Sequence, residues 1–212
     1  MNKIIFSADL QNSKDIFNIL DIIGEYLYGL KIHCDIILDW NDNVIQKLIE
    51  YKNKYNIKII EDRKWCDIGN TTTLQLNNII YKYNKWVDIF TVHSISGDGP
   101  INAIYDYDIN IKVLLIAEMS TNNNLIDDNY TKNTIKIAHN HSNVIGYICQ
   151  NKIDNNDYIY CSPGVNININ NDNNGQLYNS PLSMNNRGID YLIIGRGIYL
   201  SKNIKEDIKK YL

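Results

Sequence analysis

Residues 61–71 read EDRKWCDIGNT. Ile57, Ile59 and Ile60 lead into this string, so it sits where a buried strand ends. Side chains two apart on a strand share a face. Asp62 and Lys64 therefore point one way, and Glu61 and Arg63 the other. Asp67 falls in the exit turn, close enough by spacing to complete an acid–base–acid cluster. Two carboxylates crowded around one lysine are costly to desolvate without a purpose. Taken alone, D-x-K-x-x-D also fits a solvated strand end with scattered charges.

Outward from this string, apolar strand-like runs alternate with segments of helical period. Strands are expected at 3–8, 30–37, 57–62, 86–92, 111–117, 144–148, 157–161 and 190–195. Helices are expected near 12–28, 41–55, 71–84, 99–106, 131–141 and 201–211, with a short helix or turn over 184–188. Eight buried strands with helices between most of them predict an α/β protein, a parallel (β/α)8 TIM barrel. The stretch from Gln150 to Asp157 is too short for a full helix. A doubly wound open sheet is the other architecture with this alternation. It calls for a glycine-rich turn after the first strand, where this chain has Ser7-Ala8-Asp9-Leu10.

Active sites of such barrels lie at the carboxyl ends of the strands. Those ends carry Asp9, then Lys31 and His33, then Asp62, Lys64 and Asp67. They continue with His93, Glu118 and Ser120, Gln150, Ser162-Pro163-Gly164, and Gly195-Arg196-Gly197. Polar groups thus gather at one rim of an apolar barrel. The loops after strands seven and eight are a frequent phosphate site in this architecture. Glycines there let backbone N–H groups approach an anion, and an arginine grips it bidentately. Gly195 and Gly197 also suit a plain tight turn, but one of only three arginines (Arg63, Arg187, Arg196) stands between them.

The 212 residues fit one domain with a sizeable core, so a single domain over 1–212 is expected. A net charge of −3 gives no footprint for nucleic acid or acidic membranes. No apolar run approaches the roughly 20 residues of a membrane span. Strand-like Ile4-Ile5-Phe6 follows Met1 so soon that no signal or transit peptide is expected. Cys34, Cys66, Cys149 and Cys161 show no CxxC spacing and do not pair with histidines at ligand spacings. Free thiols in a reducing, cytoplasmic setting are expected, with no metal bound. Asn, Ile, Lys and Tyr, whose codons are AT-rich, are heavily used; for a viral gene the setting would be the host cytoplasm. The asparagine-rich stretch 166–174 reads, on composition, as a disordered insert.

The string DRK, two further residues, then DIGNT resembles the signature of the orotidine 5'-phosphate decarboxylase family, in its eukaryotic form. Similar stretches follow in order: LKIHCDI at 30–36, DIFTVHSISGDG at 88–99, LLIAEMS at 114–120, YTKNTIKIA at 130–138 and VIGYICQ at 144–150. SPGVNI at 162–167, GQLY at 175–178 and IIGRGIY at 193–199 complete the series. Ile32, Ser94 and Ser180 depart from the family's usual threonine, glycine and threonine.

The resemblance implies cofactor-independent decarboxylation of orotidine 5'-phosphate to UMP, the last step of UMP synthesis. It implies that Lys31, Asp62, Lys64 and Asp67 form a charge network in which Lys64 is catalytic. Asp67 and Thr71 would reach into a neighbouring subunit, so the active unit would be a homodimer with shared sites. Asp9, Lys31 and His33 would face the ribose, and Ser120 the pyrimidine amide edge. Gln176, Tyr178 and Arg196 would hold the phosphate, beside Pro163 and Gly195 of the two loops above, and 163–180 would be a mobile lid. The orotate phosphoribosyltransferase domain often fused to the eukaryotic enzyme is absent from these 212 residues.

The chemistry fits those residue types. Loss of carbon dioxide leaves an in-plane carbanion at carbon 6 that the ring's π system cannot delocalise. An adjacent ammonium stabilises that charge and then supplies the replacing proton. Two other functions keep the same fold: a metal-dependent sugar-phosphate decarboxylase or aldolase, and a non-catalytic nucleotide-binding barrel.

Overall fold

The computed structural model describes residues 3–167 and 177–212. Eight parallel strands close into a barrel in chain order. They are β1 (Ile4–Ser7), β2 (Leu27–Ile32), β3 (Lys58–Trp65), β4 (Ile89–His93), β5 (Lys112–Ile116), β6 (Val144–Ile148), β7 (Ile159–Ser162) and β8 (Tyr191–Ile194). β8 pairs with β1 through Ile4–Leu192, Ile5–Ile193 and Phe6–Ile194, leaving no free edge.

Period-two alternation sorts the strand residues into two cores. Ile5, Ile60, Ile89, Leu114, Ile116, Ile148, Cys161 and Ile193 fill the barrel interior. Ile4, Phe6, Leu30, Ile59, Phe90, Val113 and Leu115 face outward and pack under the helices. Tyr28 and Tyr191, near the amino ends of their strands, lie against each other with ring centroids 3.9 Å apart and planes tilted by 31°.

The outer ring comprises α1 (Ser13–Ile23), α2 (Asp42–Tyr55), α3 (Gly69–Leu76), α4 (Gly99–Tyr107) and α5 (Asp128–His139). It continues with α6 (Pro181–Asn186), the one-turn α7 (Arg196–Tyr199) and α8 (Ile204–Asp207). Asn12, Asn41 and Asp127 cap α1, α2 and α5 through their side chains. No helix lies between β6 and β7. There the chain is tied down by Asp154, whose carboxylate meets His139 Nε2 at 2.6 Å and accepts from Tyr147 OH at 3.0 Å. Gly146 lets β7 close on β6, because a Cβ there would overlap the Ile159 carbonyl.

Several boundaries differ from the sequence expectation. α1 stops at Ile23 and Gly24–Tyr26 continue as a 3-10 turn, with Gly24 packed so closely on the Tyr55 ring that a Cβ there would strike it. β2 consequently starts at Leu27 and ends at Ile32, with 34–36 forming a second 3-10 turn. α3 stops at Leu76 rather than running to 84. Asn77 closes its end by donating from both backbone and side chain to the Thr73 carbonyl. β3 extends to Trp65.

Candidate active site

β3 does not pair evenly with β4. Glu61 lies opposite Phe90 and Trp65 opposite Val92, so the stretch between them bulges from the ladder. At the bulge Lys64 takes a left-handed backbone conformation, φ 53°. Its N–H donates to Thr91 Oγ1 at 3.1 Å. Thr91 Oγ1 in turn donates to Asp62 Oδ1 at 2.7 Å. One buried hydroxyl on β4 therefore fixes both the carboxylate and the backbone that carries the lysine.

Asp62 Oδ2 accepts from Lys31 Nζ at 2.6 Å and from Lys64 Nζ at 2.7 Å. His33 Nε2 approaches the same oxygen at 3.3 Å, and Lys31 also reaches Asp9 Oδ1 at 3.5 Å. Asp9 is oriented further by Ser7 Oγ at 3.0 Å. Burial opposes ionisation of Asp62. Lys31, then His33 and Lys64 outweigh it and hold the carboxyl well below the usual carboxylate range. Burial likewise opposes the Lys31 ammonium, but Asp62 and Asp9 reverse the balance and raise its pKa. The result is an alternating row, Asp9–Lys31–Asp62–Lys64, across the ends of β1, β2 and β3.

This row forms one wall of a cavity of about 220 Å³ at the barrel mouth. Its floor is apolar, made by Ile116, Ile148 and Ile193, with Met119 and Ser120 beside them. Pro163, Gly164, Tyr178, Gly195 and Arg196, from the segments that follow β7 and β8, complete the lining. The Arg196 guanidinium lies 5.4 Å from the centre of the Tyr178 ring. β8 adjoins β1 in the closed barrel, so the Gly195–Arg196 segment follows on from the Asp9 end of the row.

Of the residues singled out from sequence, Asp9, Lys31, His33, Asp62, Lys64, Ser120, Pro163, Tyr178, Gly195 and Arg196 line this cavity. Asp67 does not. It is exposed, and among the described residues its carboxylate accepts from the Ile68 N–H at 2.8 Å and bonds to neither lysine. The expected acid–base–acid cluster is not formed within one chain. The exit loop instead leads away to α3, whose start packs on α4 so closely that a Cβ on Gly69 would lie 3.0 Å from the Gly99 carbonyl oxygen. Thr71, on α3, is likewise off the cavity. Gln176 and the central part of the expected lid, 168–176, lie outside the described residues. The flanks of that stretch pair through Val165 and Asn179.

Sequence reading missed Thr91 and Ser7. Thr91 is the lone polar residue inside the run Ile89–Val92, facing the same side as Asp62, and that was its only signal. Trp65 is buried against Tyr83 and Phe90, edge to face, while Cys66 is exposed.

Residues 2–211 match the model of the orotidine 5'-phosphate decarboxylase / HUMPS family. The chain belongs to this family. It is 37% identical over 200 residues to orotidine 5'-phosphate decarboxylase of Rhizopus oryzae, covering 91% of this chain and 76% of that one. Identity to the Schizosaccharomyces pombe orotidine 5'-phosphate decarboxylase is 33%, covering 97% and 80%. Identity to bovine uridine 5'-monophosphate synthase is 34%, covering 97% of this chain but only 44% of that longer protein. The fold matches the crystal structure of orotidine 5'-monophosphate decarboxylase from Methanocaldococcus jannaschii complexed with inhibitor BMP. The TM-score is 0.76 at 21% identity, with 100% of this chain and 97% of that one covered.

Proposed function

We propose that this barrel decarboxylates orotidine 5'-phosphate to UMP without a cofactor, the last step of pyrimidine nucleotide synthesis. The observation that carries the reading is Asp62 Oδ2 held between two ammonium groups, Lys31 at 2.6 Å and Lys64 at 2.7 Å, at the edge of an apolar-floored cavity. The family relatives named above support the same substrate.

Lys64 is the more exposed of the two lysines, 37% against 8% for its side chain. It serves as the electrostatic partner of the carbanion at carbon 6 and then as its proton donor. Asp62, fixed by Thr91 and Lys31, holds Lys64 in place, and a preformed field of this kind needs no reorganisation during reaction. Asp9, Lys31 and His33 face the ribose, and Ser120 the amide edge of the ring. Tyr178, Gly195, Arg196 and Pro163, with Gln176, hold the phosphate. That grip is remote from the breaking bond, so its binding energy is available to exclude water and orient the ring.

Asp67 and Thr71 complete the site of a second copy, making the working unit a homodimer. Supporting this, Ile68 (63% exposed), Leu74 (68%) and Ile95 (71%) present apolar surface on the segments that leave β3 and β4. Four free cysteines, three of them buried, fit a reducing, cytoplasmic setting.

The direct experiment follows the absorbance of orotidine 5'-phosphate with purified protein in EDTA. Conversion to UMP supports the reading. Failure of folded protein to convert it, with activity on sugar phosphates appearing on adding magnesium, would replace it with the metal-dependent chemistry of the wider family.

A further inference from the structure

Gln150 does not touch the cavity, yet it joins the elements behind one wall of it. Its backbone N–H donates to Glu118 Oε2 at 2.5 Å, and the Asn151 N–H shares that oxygen at 3.1 Å. The side-chain amide points the other way. Its Nε2 donates to Ser162 Oγ at 3.1 Å and lies 3.4 Å from the carbonyls of Cys149 and Pro163. Its Oε1 accepts from Asn179 Nδ2 at 3.3 Å.

Asn179 is itself fastened on both sides. Its N–H donates to the Gly164 carbonyl at 2.7 Å, and its carbonyl accepts from Asn166 N–H at 3.1 Å. Two residues earlier, Leu177 N–H donates to the Ser120 carbonyl at 2.9 Å. Gln150 therefore ties the ends of β6 and β7 to the stem 177–179. Between these anchors stand Pro163, Gly164, Val165 and Tyr178 of the cavity wall, with Tyr178 against Arg196.

The bonding pattern needs an amide. An NH2 group faces three oxygens while a carbonyl faces another amide's NH2. A carboxylate could not donate to Ser162 and Pro163, and an aliphatic side chain would do neither.

We infer that Gln150 is a positioning residue for the phosphate-binding wall, setting Pro163–Val165 and Tyr178 relative to Arg196. The inference rests on the decarboxylase reading above and names a residue that reading does not use. Its consequence is selective: loss of the Gln150 amide weakens ligands that carry the phosphate and leaves the bare nucleoside unaffected.

The test compares wild type with Gln150→Leu, Asn179→Leu and the double variant. Turnover of orotidine 5'-phosphate and orotidine is measured, together with calorimetric binding of UMP and uridine. Loss of one or two such hydrogen bonds should raise KM for orotidine 5'-phosphate and Kd for UMP about tenfold. Values for orotidine and uridine should stay within about twofold, and the double variant should be no worse than the poorer single one. Equal losses on phosphorylated and bare ligands, additive losses, or unchanged UMP binding would overturn the inference. Thermal unfolding identifies any variant whose loss is one of fold, and if Gln150→Leu is such a variant, Asn179→Leu decides. Wild type that binds UMP without converting orotidine 5'-phosphate would overturn the decarboxylase reading while the UMP titrations still judge Gln150. Wild type that does neither overturns both.

Discussion

Glu61 and Asp62 are consecutive carboxylic acids driven in opposite directions by the two faces of β3. Asp62 faces the cavity between Lys31 and Lys64 and is held well below the usual range. Glu61 faces the outer core with no exposed surface, and one oxygen accepts from the Cys34 N–H at 3.0 Å. Burial pushes its carboxyl up to about 8, against the opposing pull of that N–H.

The sign of the linkage follows. In the unfolded chain Glu61 loses its proton near its ordinary 4.5, while the folded protein keeps it to about 8. Its contribution to stability is therefore complete below that window and is lost as pH rises through it. Glu61→Gln keeps the acceptor for Cys34 and removes the titration. The variant should gain on wild type by about 1.4 kcal/mol per pH unit inside the window. Denaturant unfolding at pH 5, 6.5 and 8 measures this, and parallel pH curves for the two proteins would refute the assignment.

Lys64→Ala removes the ammonium that the proposed function sets next to the reacting carbon. Turnover should fall by at least about a thousandfold, the scale of a lost general acid combined with lost electrostatic stabilisation. The fold should persist, since the Lys64 side chain is 37% exposed and Asp62 keeps Lys31 and Thr91. Steady-state rates with circular dichroism check both halves, and near-normal turnover would remove Lys64 from its role.

Arg196→Ala should separate two substrates. A charge-assisted contact contributes about 1.5–3 kcal/mol, so kcat/KM for orotidine 5'-phosphate should drop by roughly ten- to a hundredfold. The drop for orotidine should be much smaller. Equal drops would place Arg196 in the structure of the wall and not on the phosphate.

Sharing of sites between copies has a complementation test. Lys64→Ala and Asp67→Ala chains are each inactive if both residues belong to every site. In a mixed dimer one site receives an intact pair, so part of the wild-type activity should return. Verified mixed dimers with no recovery would confine each site to one chain.

Much of this architecture could be read from residue order, because most barrel strands are buried on both faces and write an apolar run such as Ile4–Phe6 or Val113–Ala117. The charges at the strand ends were equally legible from period-two alternation. Asp67 was not. Its distance along the chain from Lys64 was right, but its direction depends on Gly69 meeting Gly99, a contact between distant segments. Thr91 was invisible for a related reason: its role exists only once β4 lies beside β3. The end of α3 was missed because Asn77 is as common in loops as at helix ends, and only its bonds to Thr73 distinguish the two.

Lys64 occupies a backbone region that disfavours any side chain, at roughly 1–2 kcal/mol. Two hydrogen bonds through Thr91 keep it there. A glycine at 64 would relieve that strain at the cost of the Lys64–Asp62 contact and, on the proposed function, would leave the barrel inert. A library screened only for thermal tolerance should accumulate that change, and one screened for uridine-independent growth should purge it.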